Sequence, residues 1–160
     1  MSDNTAYAVP KDPQRVTVRL NKGVALEGEI FLEYTSEDLS RHQKISAFLE
    51  SGNAFFPLKK GSDGTEFISK KNVRAVEVTF PEDPENSYFS LRPMHAIPVL
   101  AIFSDGDSVR GLLLAEVPDE KARLSDCLNL PDKFLNVREN GTMCYINKNA
   151  LQKVVYDDKT

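Results

Sequence analysis

The sequence predicts a mainly β fold made of two tandem five-stranded small barrels, each with one short helix. Three observations carry that prediction. VTVRLNKGVALEGEIFLE at residues 16–33 is answered by VLAIFSDGDSVRGLLLAE at residues 99–116, with Gly23 matching Gly106 and Gly28 matching Gly111 at an offset of 83. Apolar and polar residues alternate through both stretches, the period of a strand with one buried face. Later segments then match at offsets of 79 and 78, so a whole unit is written twice. A unit of about 60 residues buries only about 60% of its unfolded surface, and closing its five strands would remove the exposed edges.

The chain opens with a polar stretch containing Pro10 and Pro13, expected as an arm over residues 1–14. The first barrel is expected over 15–79. Val16, Val18 and Leu20 mark its first strand, Asn21-Lys22-Gly23 a tight turn, and Leu26, Ile30 and Phe31 the return strand. Glycine tolerates the positive φ that closes such a hairpin. A glycine inside a strand marks a bend or a close backbone approach, the reading given to Gly28 and Gly111.

A polar insertion through His42 leads to KISAFLESG, where Ile45, Phe48 and Leu49 share one helical face and Gly52 offers a stop. Leu124, Cys127 and Leu128 take those three places in the second unit. Phe55, Phe56 and Leu58 match Phe134, Leu135 and Val137 as a third strand, Phe67-Ile68 matches Tyr145-Ile146 as a fourth, and Val73 with Val76 matches Leu151 with Val154 as a fifth. Residues 80–97 are expected as a proline-rich linker, since Pro81, Pro84, Pro93 and the following Pro98 should break any regular element; its Tyr88, Phe89, Leu91 and Met94 would be costly to leave bare. The second barrel follows over 98–156 and a tail over 157–160.

Composition narrows the function. The 160 residues are 41% hydrophobic and 28% charged, within the range of globular proteins. No apolar run approaches a membrane span and the start does not read as a signal peptide, so a cytoplasmic location and no membrane contact are expected. Residues 1–80 hold 11 basic and 11 acidic side chains and residues 81–160 hold 9 and 13, giving a net charge of −4. An acidic balance argues against a nucleic-acid partner, since phosphate neutralisation dominates that affinity. The nearest basic cluster, Lys59-Lys60 with Lys70-Lys71, reads as a solvated face.

No catalytic, cofactor-binding or metal-binding residue is assigned, and the chain is read as a non-enzyme needing no cofactor. His42 and His95 have no second imidazole or carboxylate at metal-ligand spacing. Asp105 and Asp107 belong to a turn that needs aspartate or asparagine for backbone reasons, and Asp157 and Asp158 to the tail. Cys127 and Cys144 are not in a CxxC arrangement and read as reduced structural thiols, Cys127 as a small hydrophobe in the place of Phe48. Arg123, Asp126 and Asn129 form the most distinctive polar surface. Ser125 or Asp126 is expected to cap a helix start, Asn129 to end that helix, and Arg123 to pair with Asp126 along one face.

The hairpin V-x-V-x-L-x-x-G, with a second glycine after four intervening residues, resembles the Sm-like small barrel in both units. That resemblance implies single-stranded RNA binding as the alternative function. The Asp-x-x-Met-Asn loop of Sm proteins is not matched, however: Asp126 and Asn129 are three apart and lie well beyond Gly111. Asn147-Lys148 stands where an Arg-Gly pair is expected. RLSDCLN before Phe134-Leu135 is also similar to an uncharacterised bacterial family without an established function.

Comparing the units face by face points to association. Thr17, Arg19, Glu29 and Phe31 point away from the core in the first unit, and Leu100, Ile102, Leu112 and Leu114 take their places in the second. Such aliphatic residues should not stay in water together. Leu100, Ile102, Leu112, Leu114 and Phe31 are therefore the expected interface, covered by the first unit, by the aromatic linker or by a second chain. The alternative is a bent strand buried on both faces within its own barrel. A protein partner or self-association is the expected role.

Overall fold

A computed structural model describes residues 11–33, 39–80, 95–119 and 123–157. Among these residues ten strands form one open antiparallel sheet in the order β10-β6-β7-β8-β9-β5-β1-β2-β3-β4. In chain order they are β1 (Lys11–Leu20), β2 (Ala25–Glu33), β3 (Phe55–Lys59), β4 (Thr65–Ser69), β5 (Val73–Thr79), β6 (His95–Phe103), β7 (Ser108–Ala115), β8 (Phe134–Glu139), β9 (Thr142–Asn147) and β10 (Leu151–Tyr156). Helix α1 (Arg41–Glu50) joins β2 to β3, and α2 (Leu124–Leu128) precedes β8.

The expectation of two separately closed barrels is corrected by this single sheet. Strand β5 pairs with β9, Val76 facing Tyr145, so the two halves are continuous. Each five-stranded half has two unpaired edges, and joining β5 to β9 satisfies one edge of each. The cores interpenetrate as well: Leu114, Phe134, Met143 and Tyr145 pack with the N-terminal half, and Ala75 packs with the C-terminal one.

Within the sheet, β5-β1-β2-β3-β4 and β10-β6-β7-β8-β9 run in the same strand order. Val16 faces Gly28 as Val99 faces Gly111, and Glu29 faces Lys59 as Leu112 faces Arg138. The irregularity that skips Arg74 between β1 and β5 returns as one that skips Gln152 between β6 and β10. Gly28 and Gly111 are places of close approach. A Cβ on Gly28 would lie 2.5 Å from the Lys59 carbonyl oxygen, and one on Gly111 would lie 2.5 Å from that of Arg138.

Several boundaries differ from the sequence reading. Strand β1 begins at Lys11 and includes Pro13, because it pairs with β5 only from Thr17 and the proline sits where the strand has one neighbour. Strand β6 begins at His95 and includes Pro98, just outside its pairing with β10. Helix α1 starts within the expected polar insertion. The Ser40 hydroxyl accepts from the Gln43 amide while the Gln43 side chain accepts from the Ser40 amide, a reciprocal cap. Its last residue is Glu50, and Ser51 is its C-cap, directly before Gly52. Linker residues 81–94, with Tyr88, Phe89, Leu91 and Met94, lie outside the described residues.

Candidate functional site

The junction between the halves is built from both ends of α1. His42, 3% exposed, lies against Tyr145 of β9, with ring centroids 5.6 Å apart and Nδ1 2.9 Å from the phenol oxygen. Burial lowers the His42 pKa to about 4 and raises that of Tyr145, so both rings are neutral near neutral pH. At the other end of the helix the Glu50 carboxylate accepts the Lys133 amide at 2.9 Å and the Phe134 amide at 3.0 Å, where β8 begins.

Two further polar links cross the junction. Arg74, buried at the β5 irregularity, donates to Asp105 and to Asp107, the latter at 2.9 Å, and stacks over Phe103 at 4.7 Å. The turn aspartates thus serve an arginine and not only their own backbone. Asn147 Nδ2 donates to the Val73 carbonyl at 2.9 Å. Neither contact is visible as a sequence motif, since the partners lie 33 and 74 residues apart.

A cavity of about 270 Å³ lies where α1 meets the C-terminal half, lined by His42 and Ser46 of α1 and by Leu114, Cys127, Leu130 and Phe134. The N-terminal half has a groove of about 470 Å³ at the matching place, lined by Phe31, Phe48, Ser51 and Phe55. Phe31 stands where Leu114 stands, Phe48 where Cys127 does, and Phe55 where Phe134 does. The difference is cover. Phe134 is buried, whereas Phe55 is 57% exposed and the neighbouring β4 residue Phe67 is 70% exposed.

The expected interface residues of the C-terminal half share one face of the paired strands β6 and β7, with Leu112 opposite Pro98 and Leu114 opposite Ala96, but they differ in cover. Leu114 is 8% exposed and packs in the core cluster of the N-terminal half. Leu112, two residues before it on β7, is 37% exposed, and Leu100 and Ile102 are half-buried on β6. Phe31 lines the separate groove of the N-terminal half.

In the polar stretch, Arg123 Nε lies 3.2 Å from Asp126, and the Asn129 side chain donates to the Ser125 carbonyl at 2.7 Å. The expected capping by Ser125 or Asp126 is corrected: Arg123 occupies the cap position of α2 and supplies no side-chain cap. The helix begins two residues earlier than a Ser125 cap requires, which puts both residues inside its first turn.

Among the other polar residues, Lys70 Nζ donates to the Ser51 carbonyl at 2.9 Å, and Lys148 Nζ to the Leu130 carbonyl at 2.6 Å. Lys60 lies 3.6 Å from Glu66. The basic cluster is thus partly engaged within the fold. His95 lies 3.0 Å from Asp119, a carboxylate that sequence spacing did not connect to it, and Asp157 pairs with Arg110 at 2.8 Å. Asp158 lies outside the described residues. Cys127 and Cys144 are buried; burial raises both thiol pKa values, that of Cys144 to about 12. No protein-family model, curated protein or solved structure matches the chain.

Proposed function

We propose that this is a non-enzymatic association module built from two copies of an Sm-like five-stranded unit, acting by binding another protein or itself. The supporting observation is the apolar groove of the N-terminal half with Phe55 and Phe67 exposed beside it. Large exposed aromatics on a sheet end are characteristic of surfaces that find a partner. The matched strand order and pairing partners support the two-copy reading.

Incorporating a photo-crosslinking amino acid at Phe55 in cells tests this role. A protein adduct, whether with another copy or a different protein, is the expected result. An adduct with nucleic acid would replace the reading by the Sm-like RNA-binding alternative. The absence of any intermolecular adduct overturns it.

A further inference from the structure

We infer that the groove and the β4 edge of one molecule take the β10 edge and α2 of a second copy, giving head-to-tail assembly. This deepens the association reading above and rests on it. The junction inside the chain supplies the geometry: β9, the outer strand of the C-terminal half, pairs with β5, the outer strand of the N-terminal half. Their counterparts are β4 and β10. Among the described residues these two strands end the sheet, each paired on one side only.

Transferring the internal register yields a specific ladder. Inside the chain Ala75 faces Ile146, Val76 faces Tyr145 and Val78 faces Met143. Between copies Lys153 would face Ile68, Val154 would face Phe67 and Tyr156 would face Thr65. The exposed aromatics fall where this ladder would bury them: Phe67 has the place of fully buried Tyr145, and Tyr156, 57% exposed, has that of fully buried Val78.

Helix docking follows the same rule. Inside the chain α1 covers the cavity beside Leu114 and Phe134, and Glu50 accepts backbone amides at the start of β8. In the second copy α2 would cover the groove beside Phe31 and Phe55, with Asn129 in Glu50's place. The Asn129 side-chain oxygen can accept the amides that precede β3, which gives the polar stretch of α2 a use. One interface made of two different surfaces repeats from copy to copy, closing into a ring if the rotation allows and otherwise running on.

The test uses the full chain and two variants, Phe67→Asp on β4 and Tyr156→Asp on β10. Both sites are exposed in the single molecule, and a circular dichroism melt checks that each folds; Phe67→Lys and Tyr156→Lys replace them if not. Light scattering of the wild type is expected to give a mass of several copies, either one discrete value or one growing with concentration. Each variant alone should be a monomer, and their equimolar mixture should form a dimer and nothing larger, since one intact junction remains per pair. A monomeric wild type at every concentration overturns the inference. So does either variant alone keeping the wild-type mass, or a mixture that stays monomeric. A crosslink from Phe55 to a different protein, beside a monomeric wild type, would reject the second copy while leaving the association role standing.

Discussion

Lowering the pH should loosen the junction through His42. In the folded chain burial depresses its pKa from 6.5 to about 4, so the unfolded chain takes up a proton in a range where the folded one does not. Because the unfolded state binds more protons there, stability is fully present above about pH 6.5 and falls as pH drops toward 4. A difference of about 2.5 pKa units, at about 1.4 kcal/mol each, gives a loss of roughly 3 kcal/mol by pH 4. Carboxylates also titrate near the low end, so the comparison needs a chain without the imidazole. His42→Gln keeps a polar group facing Tyr145 and removes the titration. Urea unfolding between pH 7 and pH 4.5 should show the wild type losing up to about 1.4 kcal/mol per pH unit more than the variant, most steeply near pH 5. Parallel pH profiles for the two proteins, or an NMR titration near 6.5 in the folded state that His42→Gln abolishes, would refute the burial argument.

The close approaches at the strand glycines should be unforgiving. Gly28→Ala and Gly111→Ala each place a methyl 2.5 Å from a backbone carbonyl and are expected to cost about 1–3 kcal/mol by urea denaturation. Gly52→Ala, with nothing within 4 Å, should change stability by less than about 0.5 kcal/mol. Leu114→Ala should cost about 2–4 kcal/mol because Leu114 is 8% exposed, whereas Leu112→Ala at 37% exposed should cost under about 1 kcal/mol. Equal effects would remove the distinction between these two neighbouring positions of β7. A thiol reagent at pH 8 should label neither Cys127 nor Cys144 until urea is added, since both are buried and burial raises both pKa values. Rapid labelling of the native chain would contradict that.

Much of the strand plan was legible because it depends on near neighbours. The period of two placed β1, β2, β6 and β7, and Gly28 and Gly111 announced the close approach that the Lys59 and Arg138 carbonyls impose. The start of α1 was misplaced because Ser40 and Gln43 cap it within what reads as a polar insertion. The candidate site was much less legible. Side-chain alternation put Leu100 and Leu114 on one face of β6 and β7, but it could not tell that Leu114 is buried while Leu100 is half-buried, or that Phe31 lines a separate groove. His42 was missed as a junction residue because its partner Tyr145 is 103 residues away.

Sequence alone determined that this chain is mainly β, where most strands lie, and which residues recur at matched positions, because side-chain alternation and turn chemistry act over a few residues. Tertiary structure decided that the strands form one open sheet, that β5 takes β9 as its neighbour, and that β4 and β10 end the sheet among the described residues. An edge strand offers its amides and carbonyls to any strand of suitable direction, and side-chain pattern does not name the partner. That choice came from packing α1, His42 and Glu50 of one half against β8 and β9 of the other.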